Sequence, residues 1–100
     1  MSAKDIVNQM HTDYLKELSV KVLPNKSKYS TSFQTYITQL VALAKDNADT
    51  DAEAVANAKA MLAIYQKIVN YAAGVKAPST LLKDLLSANQ LIKTRTKGIV

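Results

Sequence analysis

Asp46, Asp49, Asp51 and Glu53 place four carboxylates within the eight residues DNADTDAE, a density that calcium loops use to surround a hard cation with oxygen. Counted from Asp49, positions one, three and five are acidic. Position six, however, is Ala54 where such a loop needs glycine for its sharp turn, and position twelve is Ala60 where it needs a bidentate glutamate. The cluster instead predicts a helix start, where the positive end of the dipole favours acids. His11 is the only histidine. With Asp13 and Glu17 it would be a sparse ligand set on one helix, so it is predicted to be solvent-facing or at a helix edge. There is no cysteine, which removes disulfides, thiolate ligands and thiol nucleophiles. Serine and threonine are plentiful, but no second histidine or G-x-S-x-G turn supplies a base and an oxyanion hole. Gly74 and Gly98 are isolated, unlike the glycines of a phosphate loop. No catalytic residue, metal site or cofactor is predicted, and an enzyme is not expected.

The other group with chemical potential is cationic. The chain closes on LIKTRTKGIV, in which Lys93, Arg95 and Lys97 alternate with threonines before Ile99 and Val100. A basic surface attracts nucleic acid, anionic lipid or an acidic protein face through the same long-range field. The alternative of a small basic helical nucleic-acid-associated regulator draws on this charge and on five tyrosines and one phenylalanine. Against it, Tyr14, Phe33, Tyr36 and Tyr65 fall on or beside apolar stripes, where a ring with its hydroxyl at the boundary is ordinary packing. Only Tyr29 and Tyr71 are left as surface contacts. No RNA-binding aromatic signature or helix-turn-helix spacing is present, so no specific nucleic-acid partner is expected.

The elements that must carry these residues are helical. Only two glycines and two prolines occur, and Pro24, Gly74 and Pro78 divide the chain. Ser2 with Asp5 approximates a capping box, after which Ile6, Met10, Tyr14, Leu18 and Val22 recur every fourth residue, flanked by Val7 and Leu15. This predicts a helix over about 3–22, stopped ahead of Pro24. Ser30 or Ser32 caps a second helix over about 31–45 with Phe33, Ile37, Leu40, Val41 and Ala44 on one face. Thr50 with Glu53 opens a third, over about 51–73, by the T-x-x-E pattern, with Gly74 as its left-handed terminator. Pro78 or Ser79 starts a fourth over about 79–94, with Leu81, Leu82, Leu85, Leu86, Ala88 and Ile92 inward. Ile92 is expected to end that stripe, leaving a short flexible basic tail. Four amphipathic helices with short connections predict an all-α, single-domain, antiparallel up-down four-helix bundle.

One hundred residues suit one domain with one core. Apolar residues make up 48% and charged residues 21%, too apolar a balance for disorder. No signal-peptide pattern opens the chain and no run of roughly 18 apolar residues crosses it, so a cytoplasmic protein is expected, with at most a minor fraction at the inner membrane face. The net charge of +5 is uneven. Residues 1–45 carry six cations against three acids, residues 46–53 only four acids, and residues 54–100 seven cations against Asp84. Along the chain, the C-terminal half is the basic half.

Four stretches carry a family resemblance: AKDIVNQMHTDY in the first helix, NKSKYSTSFQTYITQLVALAKD through the second, KIVNYAAG closing the third, and LLKDLLSANQLIKTRTKG in the fourth and its tail. Together with the length, the basic charge and the lack of cysteine, they make the chain resemble the immunity proteins of pediocin-like (class IIa) bacteriocins, especially the enterocin A immunity type. The resemblance implies a monomeric cytosolic four-helix bundle without enzymatic activity or cofactor. It also implies a partner: the membrane components of the mannose phosphotransferase system with bound bacteriocin, engaged from the cytosolic side. The family's specificity is associated with the C-terminal half. On this chain that makes Lys93, Arg95, Lys97, Ile99, Val100 and an outward-facing Leu91 the candidate contacts, with a peripheral approach to the inner membrane face. The tail is shorter than the long, aromatic-rich termini of some relatives.

Overall fold

Three of the helices begin where a hydroxyl holds a free backbone amide. In the computed structural model, which describes residues 1–74 and 79–100, Ser2 Oγ accepts from the Asp5 amide at 3.2 Å and Ser30 Oγ from the Phe33 amide at 3.4 Å. Thr50 Oγ1 accepts from the Glu53 amide at 3.1 Å. These caps open α1 (Ala3–Lys21), α2 (Thr31–Lys45) and α3 (Asp51–Gly74), and α4 spans Ser79–Arg95. The reciprocal arm of the third cap reaches one residue farther than the pattern predicts, since Glu53 Oε2 accepts from the Asp49 amide at 2.9 Å.

The chain is all-helical over the described residues, with one more helix than expected. Between α1 and α2, Leu23–Lys28 form a short 3-10 stretch with Pro24 at its start and a break at Asn25 (φ −113°, ψ 16°). Proline's fixed φ and missing amide suit a first helical turn, and six residues are too few to show an apolar stripe. Gly74 is also not the left-handed terminator. It remains within α3, and the one glycine at positive φ among the described residues is Gly98, at 91°. The predicted connection over 75–78 lies outside the described residues.

α1 packs against α2, α3 and α4, α2 against α3, and α3 against α4. The core is built from Val7, Met10, Tyr14 and Leu18 of α1, Phe33, Ile37 and Leu40 of α2, Ala54, Ala58, Met61 and Ile68 of α3, and Leu85, Ala88 and Ile92 of α4. Ile6 is only half-buried. Val7 takes the core position in its place, three residues ahead of Met10, and the expected Met10, Tyr14, Leu18 and Val22 are all fully buried. The stripe of α4 passes beyond Ile92: Thr96 is buried, with its hydroxyl donating to the Ile92 carbonyl at 2.8 Å, and Ile99 packs half-buried against the core.

Candidate partner-binding site

The cationic triplet is split by helix geometry. Lys93 and Lys97 are four residues apart and share a face, whereas Arg95 lies about 200° around the helix from Lys93. Lys93 and Lys97, with Gln90, Thr94, Gly98 and Val100, line an open cleft against Leu62, Tyr65 and Gln66 of α3, with a volume of about 520 Å³. Tyr65 braces it by donating to Gln90 Oε1 at 3.2 Å. Arg95 instead turns to α1 and pairs with Asp13 at 2.9 Å. Of the candidate contacts, the cleft gathers Lys93, Lys97 and Val100, while Leu91 and Ile99 pack half-buried against the core. The α3 side of the cleft is invisible to a reading of the tail alone, because no local spacing tells which turn of α3 the end of α4 will meet.

The cleft is shaped by the turn that follows α4. The Thr96 amide donates to the Ile92 carbonyl and the Ile99 amide to the Thr96 carbonyl, each at 3.1 Å. The reversal runs through Gly98, whose left-handed φ costs a residue without Cβ little. Val100 remains 48% exposed at the cleft's rim. Two ammonium groups, amide and hydroxyl groups and an apolar floor suit an acidic or carboxylate-bearing protein segment better than a flat apolar face.

Behind α4 runs a row of buried polar contacts centred on α1. Asn8 makes a two-point bond to the backbone of Ala48: its Nδ2 donates to the carbonyl at 3.0 Å and its Oδ1 accepts from the amide at 2.9 Å. His11 corrects the expectation of a solvent-facing or edge residue. It is buried, with Nε2 at 2.8 Å from Asn57 Oδ1, while Asn57 Nδ2 donates to the Leu43 carbonyl at 3.1 Å. Because that amide nitrogen is committed, Oδ1 is the acceptor and Nε2 carries the proton. Tyr14 donates to Asn89 Oδ1 in the α1–α4 seam. Among the described residues, His11 Nδ1 and Asn89 Nδ2 find no hydrogen-bond partner.

Tyr29 and Tyr71, predicted as surface contacts, are packed instead. Tyr29 is buried and donates to the Leu81 carbonyl at 2.7 Å. Tyr71 stands edge-on to Phe33 at 5.1 Å between ring centroids. Burial pushes the Tyr14 hydroxyl far above the ordinary tyrosine range. Burial, with Asp84 nearby, pushes that of Tyr29 up to about 12. Among the described residues no three His, Asp or Glu side chains gather as metal ligands, and no helix is long and apolar enough to cross a membrane. No protein-family model, curated protein or solved structure matches the chain.

Proposed function

We propose that this protein is a bacteriocin immunity protein of the pediocin-like type. It acts in the cytoplasm of the producing cell by engaging the complex of bacteriocin and mannose phosphotransferase membrane components, blocking lethal permeabilisation by contact, with no catalytic step. The observation that carries the proposal is the cleft between α3 and the end of α4, where Lys93 and Lys97 stand one turn apart over Leu62 and Tyr65. It falls in the C-terminal half that the resemblance associates with specificity. Arg95, held by Asp13, would position the end of α4, and the exposed lysines would meet an acidic segment of the partner.

A rigid support for such a cleft is an antiparallel up-down four-helix bundle, acting as a monomer. Support for that arrangement comes from contacts at each end. The Lys4 amide donates to Asp51 at 2.9 Å, joining the starts of α1 and α3. Tyr29 reaches Leu81, and Phe33 meets Tyr71, at the opposite end.

Expression in a sensitive Gram-positive strain, followed by challenge with a panel of pediocin-like peptides, tests the proposal. Protection against at least one peptide is expected, and it should fall at least tenfold in the Lys93→Glu/Lys97→Glu variant with the fold intact. No protection against any peptide by the folded wild-type chain would overturn the proposal.

A further inference from the structure

Counted along the chain, the positive charge belongs to the C-terminal half, but the fold moves it. Lys4 and Asn8 bond to Asp51 and Ala48, so the acidic stretch 46–53 lies beside the start of α1. Arg95 reaches Asp13, which brings the end of α4 alongside the middle of α1, and Lys93 and Lys97 lie over Leu62, Tyr65 and Gln66 at the middle of α3. From the start of α1 to that middle level, the described residues hold Lys4, Lys45, Lys59, Lys93, Arg95 and Lys97 against Asp5, Asp13, Asp46, Asp49, Asp51 and Glu53, a balance of zero. The opposite end is built from the last turn of α1, the 3-10 stretch, the start of α2, the last turns of α3 and the first turn of α4. The Tyr29–Leu81 bond and the Phe33–Tyr71 ring contact join these pieces. Among the described residues it carries Lys21, Lys26, Lys28, Lys67 and Lys83 against Glu17 and Asp84, a net +3, with Lys21 paired to Glu17 at 3.0 Å and Lys16 between the two ends.

The two ends do not cancel each other. Asp51 and Lys67 are separated by about 24 Å of α3, roughly three times the screening length of about 8 Å at physiological salt. The basic end also presents apolar surface, since Val20 is 77% exposed and adjoins Lys21, and Pro24 is exposed nearby. Its aromatic rings are spent on packing, with Tyr29 buried and Tyr71 against Phe33. That leaves no platform for stacking bases. The chain's single arginine, the side chain suited to bidentate phosphate or base contacts, is away from this end, paired with Asp13 at the middle of α1. Exposed Lys28, Lys67 and Lys83, with half-exposed Lys26 and an exposed valine at the same end, match a surface of anionic headgroups over an apolar layer.

We propose that the end formed by the 3-10 stretch, the close of α3 and the start of α4 docks on an anionic lipid surface through Lys26, Lys28, Lys67 and Lys83 with Val20. This goes beyond the receptor-blocking function and stands without it, because vesicle binding requires neither bacteriocin nor receptor.

Co-sedimentation of the full chain with phosphatidylglycerol–phosphatidylcholine vesicles, compared with phosphatidylcholine alone, tests it. Binding is expected only to the anionic vesicles and is expected to fall with salt. The variant Lys28→Gln/Lys67→Gln/Lys83→Gln should lower partitioning by roughly 100-fold, taking about fivefold for each lysine near the surface. The equal-charge control Lys4→Gln/Lys93→Gln/Lys97→Gln should stay within about threefold of wild type. If the first triple variant loses helical content, Lys28→Gln alone carries the test with an expected loss of about fivefold. Equal losses in the two triples, undiminished binding to neutral vesicles, or tighter binding to duplex DNA through the same lysines would overturn the proposal.

Discussion

Asn89 is an amide at a core position of α4, flanked by Leu85, Ala88 and Ile92 and fully buried with them. Its Oδ1 accepts from Tyr14, while its Nδ2 is left without a partner. Removing one member of such a pair strands the other in a dry environment at about 1–3 kcal/mol, whereas replacing both by apolar groups of similar shape is close to neutral. Tyr14→Phe and Asn89→Leu should each lower the urea midpoint, and the double variant should recover to wild type or above. Additive losses in the double variant would show that packing, rather than the polar bond, sets the cost. Titration of the tyrosines gives a second expectation. Tyr29 has its folded pKa raised to about 12, above the ordinary value of 10.0. Its contribution to stability is therefore complete below pH 10 and is lost as pH rises from there through about 12, because the unfolded chain releases the proton first. Wild type should lose stability over that window more steeply than Tyr29→Phe in denaturant titrations at stepped pH, and equal slopes would remove Tyr29 as the cause.

At the scale of elements, what is local in sequence was legible and what depends on a neighbour was not. Ser2, Ser30 and Thr50 announce three helix starts because a cap involves residues only three apart. The apolar stripes place the helices themselves because periodicity is likewise a local property. Local spacing leaves His11, Tyr29 and Tyr71 at the surface or an edge because each packs against a residue far along the chain, namely Asn57, Leu81 and Phe33. The cleft was half legible. Lys93, Lys97 and Val100 stand out in the tail, whereas Leu62, Tyr65 and Gln66 join them only once α3 and α4 pack. The connection between α2 and α3 depends on one side chain of a third element. Asn8 of α1 satisfies both the amide and the carbonyl of Ala48, itself 5% exposed. Asn8→Ala removes both bonds and leaves two backbone groups with little access to water, so a loss of about 2 kcal/mol is expected in chemical denaturation. Amide hydrogen exchange should accelerate most at Ala48. A uniform acceleration along all the helices would instead mean that Asn8 acts on global stability alone.

At the scale of the whole molecule, charge counted by segment and charge counted by position give opposite pictures. The acidic stretch that looks like a separate feature of the sequence is folded against the start of α1, whereas Arg95 pairs with Asp13 at the middle of α1 and Lys93 and Lys97 stand over the middle of α3. At the far end Lys21 is paired with Glu17, while Lys28, Lys67 and Lys83 form no ion pair among the described residues. The long dimension of the molecule is 39 Å and the cleft sits against the middle of α3, so if the basic end rests on lipid, the cleft stands beside the leaflet and opens to the surrounding water. The absence of cysteine makes this directly measurable, because a single introduced thiol is the only one to label. An environment-sensitive dye on Val20→Cys should shift its emission to the blue on addition of phosphatidylglycerol vesicles, since that position is exposed in the free protein and enters the headgroup layer on docking. The same dye on Lys97→Cys should keep its emission and remain open to a water-soluble quencher. A blue shift at position 97 with none at position 20 would reverse the polarity of the molecule on the membrane and make the tail, instead of the 3-10 end, the part that touches lipid.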